Sequence, residues 1–143
     1  MTEEEKQLIL KDLCERLPHG VIIHTEKGDG HLNSINQTIF GTEYGVNINS
    51  IKRDYFNDRD SEIKPYLRPM SSMTEEERKE LSQISEEYLD DWSTADSNLV
   101  KWKLDAKVSS MRATFYNSHY LDWNDLISKG LALEAPEDMY KEE

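Results

Sequence analysis

His24 and His31 are the side chains best placed to do chemistry in this sequence. They flank the turn cluster Glu26-Lys27-Gly28-Asp29-Gly30, so a hairpin would let them face each other with Asp29 beside them. Two imidazoles and a carboxylate could mimic a metal site. The alternative is that all four histidines, His19, His24, His31 and His119, are ordinary surface residues. None lies in a HExxH or HxxxH pair, and the single Cys14 supplies no cysteine-based zinc set. No metal and no cofactor is therefore expected. The serines form no Gly-x-Ser-x-Gly elbow. Gly28-x-Gly30 lacks a third glycine and a following helix, so it reads as a turn and not as a phosphate cradle. The paired carboxylates fall at helical spacing in one acidic run, which fits a solvated helix face better than a glycosidase pair. No catalytic set emerges, and an enzyme is not expected.

Binding residues are easier to nominate. Lys64, Pro65, Tyr66 and Arg68 form a strand-like segment whose proline cannot donate to a ladder and so suggests a sheet edge. Tyr and Arg are enriched at interface hot spots, which makes this edge a candidate recognition surface. The competing reading packs Tyr66 and Leu67 between sheet and helices. Residues 75–96 carry nine acids against Arg78 and Lys79, a local net charge of −7, and Glu76, Glu80, Glu87 and Asp91 are its candidate contacts. Over the whole chain 29 acids and 17 bases leave a net charge of −12. That field repels nucleic-acid phosphates and anionic membranes, and it favours a partner with a basic surface or simply solubility. Against it, Lys64, Arg68, Lys101 and Lys103 could form a local basic patch. Phe115, Tyr116, His119, Tyr120 and Trp123 share a helical spacing that suggests core packing over base stacking.

The elements that must position these residues follow from caps and periodicity. A length of 143 residues predicts a single domain over 1–143, long enough to bury roughly 70% of its unfolded surface. Thr2 and Glu5 make a capping box for a helix over 1–18, with an apolar stripe at Leu10, Leu13, Cys14 and Leu17. On that stripe Cys14 reads as a core residue. A strand-rich region over 20–68 follows, with strands at 20–25, 31–40 (anchored by Leu32 and Ile39), 44–51 and 62–67. Residues 41–45 read as a turn and 53–61 as a charged loop. Residues 74–143 read as mainly helical with one strand near 99–104. In that region Thr74 and Glu77 repeat the capping box. The second helix shows Leu81, Ile84 and Tyr88, extended by Leu89 and Trp92. Asp105 caps a third helix, and Asp122 a fourth ending at Gly130. No run approaches 18 apolar residues, and the first residues are acidic, so a soluble cytoplasmic protein is expected. The expected fold is α+β: a small antiparallel sheet, SH3-like in one version, packed by an N-terminal helix and a C-terminal helical layer.

Three stretches carry a resemblance: QLILKDLCERLPHGV at 7–21, IKPYLRPMSSMTEEE at 63–77 and DLISKGLALEAPEDMY at 125–140. Together they resemble an uncharacterised family of small proteins from gut bacteria and their prophages or mobile elements. The resemblance covers about a third of the chain. It implies a bacterial or phage-infected cell as the setting and brings no catalytic residue. Two departures stand out: a longer charged segment at 53–61, and Leu121-Asp122-Trp123-Asn124-Asp125 where an Asp-Tyr-Arg-Gly-like run is typical. The resulting expectation is a non-enzymatic accessory protein that binds another protein. The alternatives are an acidic DNA mimic that inhibits a nucleic-acid-binding or defence protein, and a small-barrel nucleic-acid-binding module.

Overall fold

The computed structural model describes residues 1–48 and 53–140. Helix α1 (Glu3–Arg16) starts at the capping box, with the Glu5 N–H donating to Thr2 Oγ1 at 3.1 Å and the Thr2 N–H to Glu5 Oε1 at 2.9 Å. Its buried residues are Ile9, Asp12, Leu13 and Arg16, not the Leu10–Cys14–Leu17 stripe. Cys14 is exposed, which corrects its reading as a core residue. Partial desolvation, with Glu15 beside it, pushes its thiol up, so it is not an activated nucleophile. The rotation has a physical cause. Arg16 makes a two-pronged bond to Asp12 at 2.9 and 3.1 Å and donates to the Leu121 carbonyl at 2.7 Å, while Asn124 donates to Asp12 at 2.8 Å. A charge pair bonded in this way, with Arg16 Nη1 alone left without a partner, can take the buried face of a helix.

The sheet has six strands in the order β4-β3-β2-β1-β5-β6: β1 (Ile22–Thr25), β2 (Gly28–Thr38), β3 (Gly41–Asn47), β4 (Arg53–Asn57), β5 (Lys64–Leu67) and β6 (Leu133–Glu134). The first five pair antiparallel, and β6 joins β5 in parallel. This is an α+β fold with an open sheet. Lys27 in the β1–β2 turn reaches across the sheet to lie 5.9 Å from the Phe56 ring on β4, two strands beyond β2. Residues 41–45 and 53–57 are strands and not the turn and loop that glycines and charges suggested. Ile39 does not anchor the core: it sits in the β2–β3 turn at 92% exposure. The stretch expected to be a strand over 44–51 runs partly outside the described residues.

The core joins Ile9 and Leu13 of α1 to Val21, Ile23, Tyr44, Val46, Phe56 and Leu67 of the sheet region. Leu126, Leu131 and Ala132 close it from the C-terminal side. A Cβ on Gly30 would collide with the backbone of Asn47 and Ile48 on the neighbouring strand. Gly30→Ala is expected to cost about 1–3 kcal/mol by overpacking, read as a lowered midpoint in urea unfolding. An unchanged midpoint would show that the β2–β3 register tolerates the shift.

Three helices follow β5: α2 (Glu75–Glu86), α3 (Leu89–Ser93) and α4 (Asn98–Ser118). The strand expected near 99–104 is the first part of α4, and its cap is Ser97, not Asp105: the Val100 N–H donates to Ser97 Oγ. Alternation of Val100, Trp102 and Leu104 imitates a strand, but Lys101, Leu104, Val108, Met111 and Phe115 make a longer helical stripe. At the end of α4 the Leu121 N–H bonds to Tyr116 O and the Tyr120 N–H to Asn117 O, a Schellman-type closure with Tyr120 at φ 60°. The Tyr120 hydroxyl donates to His19 O at 2.6 Å, and its ring stacks on Tyr140 at 3.8 Å. Asp122 accepts from the Leu126 and Ile127 N–H groups, so it organises turns, where a fourth helix was expected. The Tyr140 hydroxyl donates to Tyr66 O and accepts from the Ile22 N–H. The C-terminal stretch thus ties β1 to β5.

Candidate docking arm

Helices α2, α3 and α4 form a hairpin arm that leaves the sheet after Pro69 and returns at His119. Its base is fixed by one carboxylate. Glu77 is the third residue of α2 and closes the capping box with Thr74. It also accepts two bonds from Arg68, at 2.8 and 2.7 Å, and lies 3.0 Å from His119 Nδ1. Arg68 in turn donates to the carbonyls of His119 and Ser72. The Arg68 guanidinium, opposed by partial burial and helped by the Thr74 N–H, holds the Glu77 carboxyl at about 2, well below its ordinary value of 4.5.

Beyond this base the arm has no core of its own. No residue from Thr74 to Thr114 is buried. Between the two legs runs a cleft of about 360 Å³, lined on one side by Ser85, Tyr88, Leu89 and Trp92 and on the other by Leu104, Asp105, Val108, Ser109 and Arg112, whose guanidinium donates across it to Ser85 Oγ. Lys101 lies 4.7 Å from the Trp92 ring and Lys107 4.9 Å from the Tyr88 ring, so cations already sit against the aromatic faces. The legs differ in charge. The leg of α2 and α3 holds the acidic run, with Glu76, Glu80, Glu87 and Asp91 all exposed. The result is a trough of mixed lining, apolar side chains with Asp105 and Arg112 among them, to which the acidic run of α2 and α3 contributes no carboxylate.

The structure separates the residues nominated for binding. Pro65 is buried, and β5 lies between β1 and β6, so the segment Lys64–Arg68 is not a free edge. Its Cα partner there is Ile23, in a short ladder with β1. Tyr66 is on the outer sheet face, where it donates to Asp29 at 3.1 Å and meets His24 edge to face. Asp29 also lies 2.7 Å from His24 Nδ1, but His31 turns to the Gly20 carbonyl. No group of three or more metal-ligating side chains occurs among the described residues. Lys64, Arg68, Lys101 and Lys103 do not make one patch: Lys64 is on β5, Arg68 is locked to Glu77, and Lys101 and Lys103 are at the distal start of α4. Phe115 is the buried member of the aromatic cluster, with His119 4.4 Å from its ring and Tyr116 stacked on Trp123.

The chain matches no protein-family model, no curated protein and no solved structure. Among the described residues no helix is long and apolar enough to cross a membrane. Leu104 is the cleft residue that strand-like alternation hid, while Val108 reads on the third helix with Met111 and Phe115. The continuation of the Val108–Met111–Phe115 stripe back to Leu104 and Lys101, capped by Ser97, is the signal that reveals it.

Proposed function

We propose that this protein is a non-enzymatic accessory protein of a phage or mobile element, and that the cleft of its helical arm takes a basic amphipathic helix from a partner protein. The observation that carries this reading is the arm itself: a two-legged helical hairpin with no buried residue from Thr74 to Thr114, a trough that exposes Leu89 and Trp92, and an acidic run on one leg. A partner helix gains from covering Leu89 and Trp92, and the exposed acids of that leg attract lysine and arginine.

A dye-labelled synthetic helix with leucines on one face and lysines on the other serves as the probe, read by fluorescence anisotropy. It is expected to bind the intact protein and to weaken as salt rises, because rim charges are screened within about 10 Å at 0.1 M salt. Trp92→Ala is expected to weaken binding about 30-fold, as removal of a central aromatic anchor does. No binding of the lysine probe, or equal binding of a glutamate version, would overturn the reading.

A DNA-mimic reading finds support in the exposed carboxylates of Glu76, Glu80, Glu87 and Asp91. It predicts that a host DNA-binding protein competes through its phosphate-binding surface and that Trp92→Ala leaves binding intact. The same variant therefore separates the two readings.

A further inference from the structure

The outer face of the sheet carries a side-chain cluster separate from the arm. Asp29 on β2, His24 on β1 and Lys64 on β5 are register partners, so they form one row across three strands. Asp29 Oδ1 lies 2.7 Å from His24 Nδ1. Tyr66 holds both from the side: its hydroxyl donates to Asp29 Oδ2 at 3.1 Å, and its ring meets the His24 ring edge to face. A carboxylate only accepts, so the proton of the neutral imidazole sits on Nδ1 and the lone pair on Nε2. The His24 side chain is 50% exposed, and no described residue bonds its Nε2. We propose that His24 Nε2 is a phosphoryl-acceptor site that takes its phosphoryl group from an N-phosphoryl donor.

The chemistry follows from the charges on either side of the ring. As Nε2 attacks phosphorus, the Nε2–P bond forms and the donor's P–N bond breaks, its electron pair leaving on the donor nitrogen. With phosphoramidate the leaving group is ammonia, and no net proton moves. The imidazole becomes cationic as the bond forms, and Asp29, already bonded at Nδ1, stabilises that charge. Lys64 stands on the other side of His24 and has no hydrogen bond or ion pair among the described residues. Its ammonium is the cation of the row that meets the phosphoryl oxygens, which favours an anionic group over a neutral acyl group. Each other histidine lacks a part of this arrangement. His31 Nδ1 bonds the uncharged Gly20 carbonyl at 2.8 Å. His119 has a carboxylate near each ring nitrogen, Glu77 at Nδ1 and Glu80 at Nε2. The His19 ring bonds no described residue.

The test treats the full chain with phosphoramidate at about pH 8.5, where ordinary imidazoles are neutral. Phosphorus NMR and peptide mapping in alkali give the rate at each histidine. His24 is expected to be phosphorylated on Nε2 about tenfold faster than His31, which shares the ring geometry but has no carboxylate. Asp29→Asn is expected to bring His24 down to the rate of His31, and Lys64→Ala to slow it about fivefold. Nitrogen-15 NMR is expected to show the Nδ1–H tautomer at His24 in the parent and a tautomer mixture in Asp29→Asn. That readout ties the loss to the ring, and circular dichroism checks that both variants keep the fold. Equal rates at His24 and His31, attachment at Nδ1, or variants of Asp29 and Lys64 as fast as the parent would overturn the proposal. Failure of the leucine–lysine probe in the cleft would leave these results untouched.

Discussion

Arg16→Ala is expected to destabilise the protein by about 3–5 kcal/mol, the cost of breaking one partner of a buried ion pair. Both Arg16 and Asp12 have fully buried side chains. Removing the guanidinium leaves the Asp12 carboxylate in the core with Asn124 as its remaining donor, and it leaves the Leu121 carbonyl with the Trp123 N–H alone. Asp12→Ala is expected to cost as much, because it leaves a buried cation. The double replacement Asp12→Leu with Arg16→Met removes both charges and is expected to cost far less than the sum, since well-packed apolar residues often replace a buried pair without loss. Chemical unfolding of the four proteins gives the cycle. Additive losses would show that the pair does not act as a unit. Against a typical total of about 5–15 kcal/mol, the single changes alone would bring the protein near its folding threshold.

Arg68→Ala is expected to free the arm from the sheet at a cost of about 2–3 kcal/mol, because Glu77 and the carbonyls of His119 and Ser72 lose a charged donor together. The loss is local. Hydrogen exchange is expected to rise in α2 and α3, while β1, β2 and β3 keep their protection. The same lock has a pH signature. Glu77 is held at about 2 in the folded protein against an ordinary value of 4.5, so the unfolded arm binds more protons between these values. The contribution of the lock is full above pH 4.5 and is lost as the pH falls toward about 2. Glu77→Gln is expected to flatten that acid limb. An acid limb unchanged by Glu77→Gln would assign it to other carboxylates.

The parts of this fold that the sequence made legible are those decided locally. Thr2 with Glu5 and Thr74 with Glu77 are short-range partners, and both capping boxes form as their spacing implies. The hidden parts depend on distant neighbours. Asp12 and Arg16 belong to the core because Leu121 and Asn124, more than 100 residues on, complete their bonds. Residues 53–57 look like a charged loop, yet Phe56 points into the core while Arg53 and Tyr55 pack over Gly45 on the outer face. Gly45 itself looks like turn punctuation and is instead the flat spot that those side chains cross. In the arm, Leu81, Ile84 and Tyr88 were legible as one apolar side. Leu104 on the opposite wall of the cleft was not, because a helix with apolar residues on two faces alternates like a strand over its first turns. Pro65 misled for a similar reason: a proline marks a missing donor but does not say which neighbour a short ladder leaves unbonded.

Amide NMR of the full chain, titrated with the leucine–lysine helix, tests the docking arm most directly. Saturable shifts centred on Ser85, Tyr88, Leu89, Trp92, Leu104 and Val108, with the outer sheet face around His24 and Tyr66 unmoved, are the predicted result. Shifts centred on the sheet face, or shifts spread evenly over every exposed acid, would contradict it.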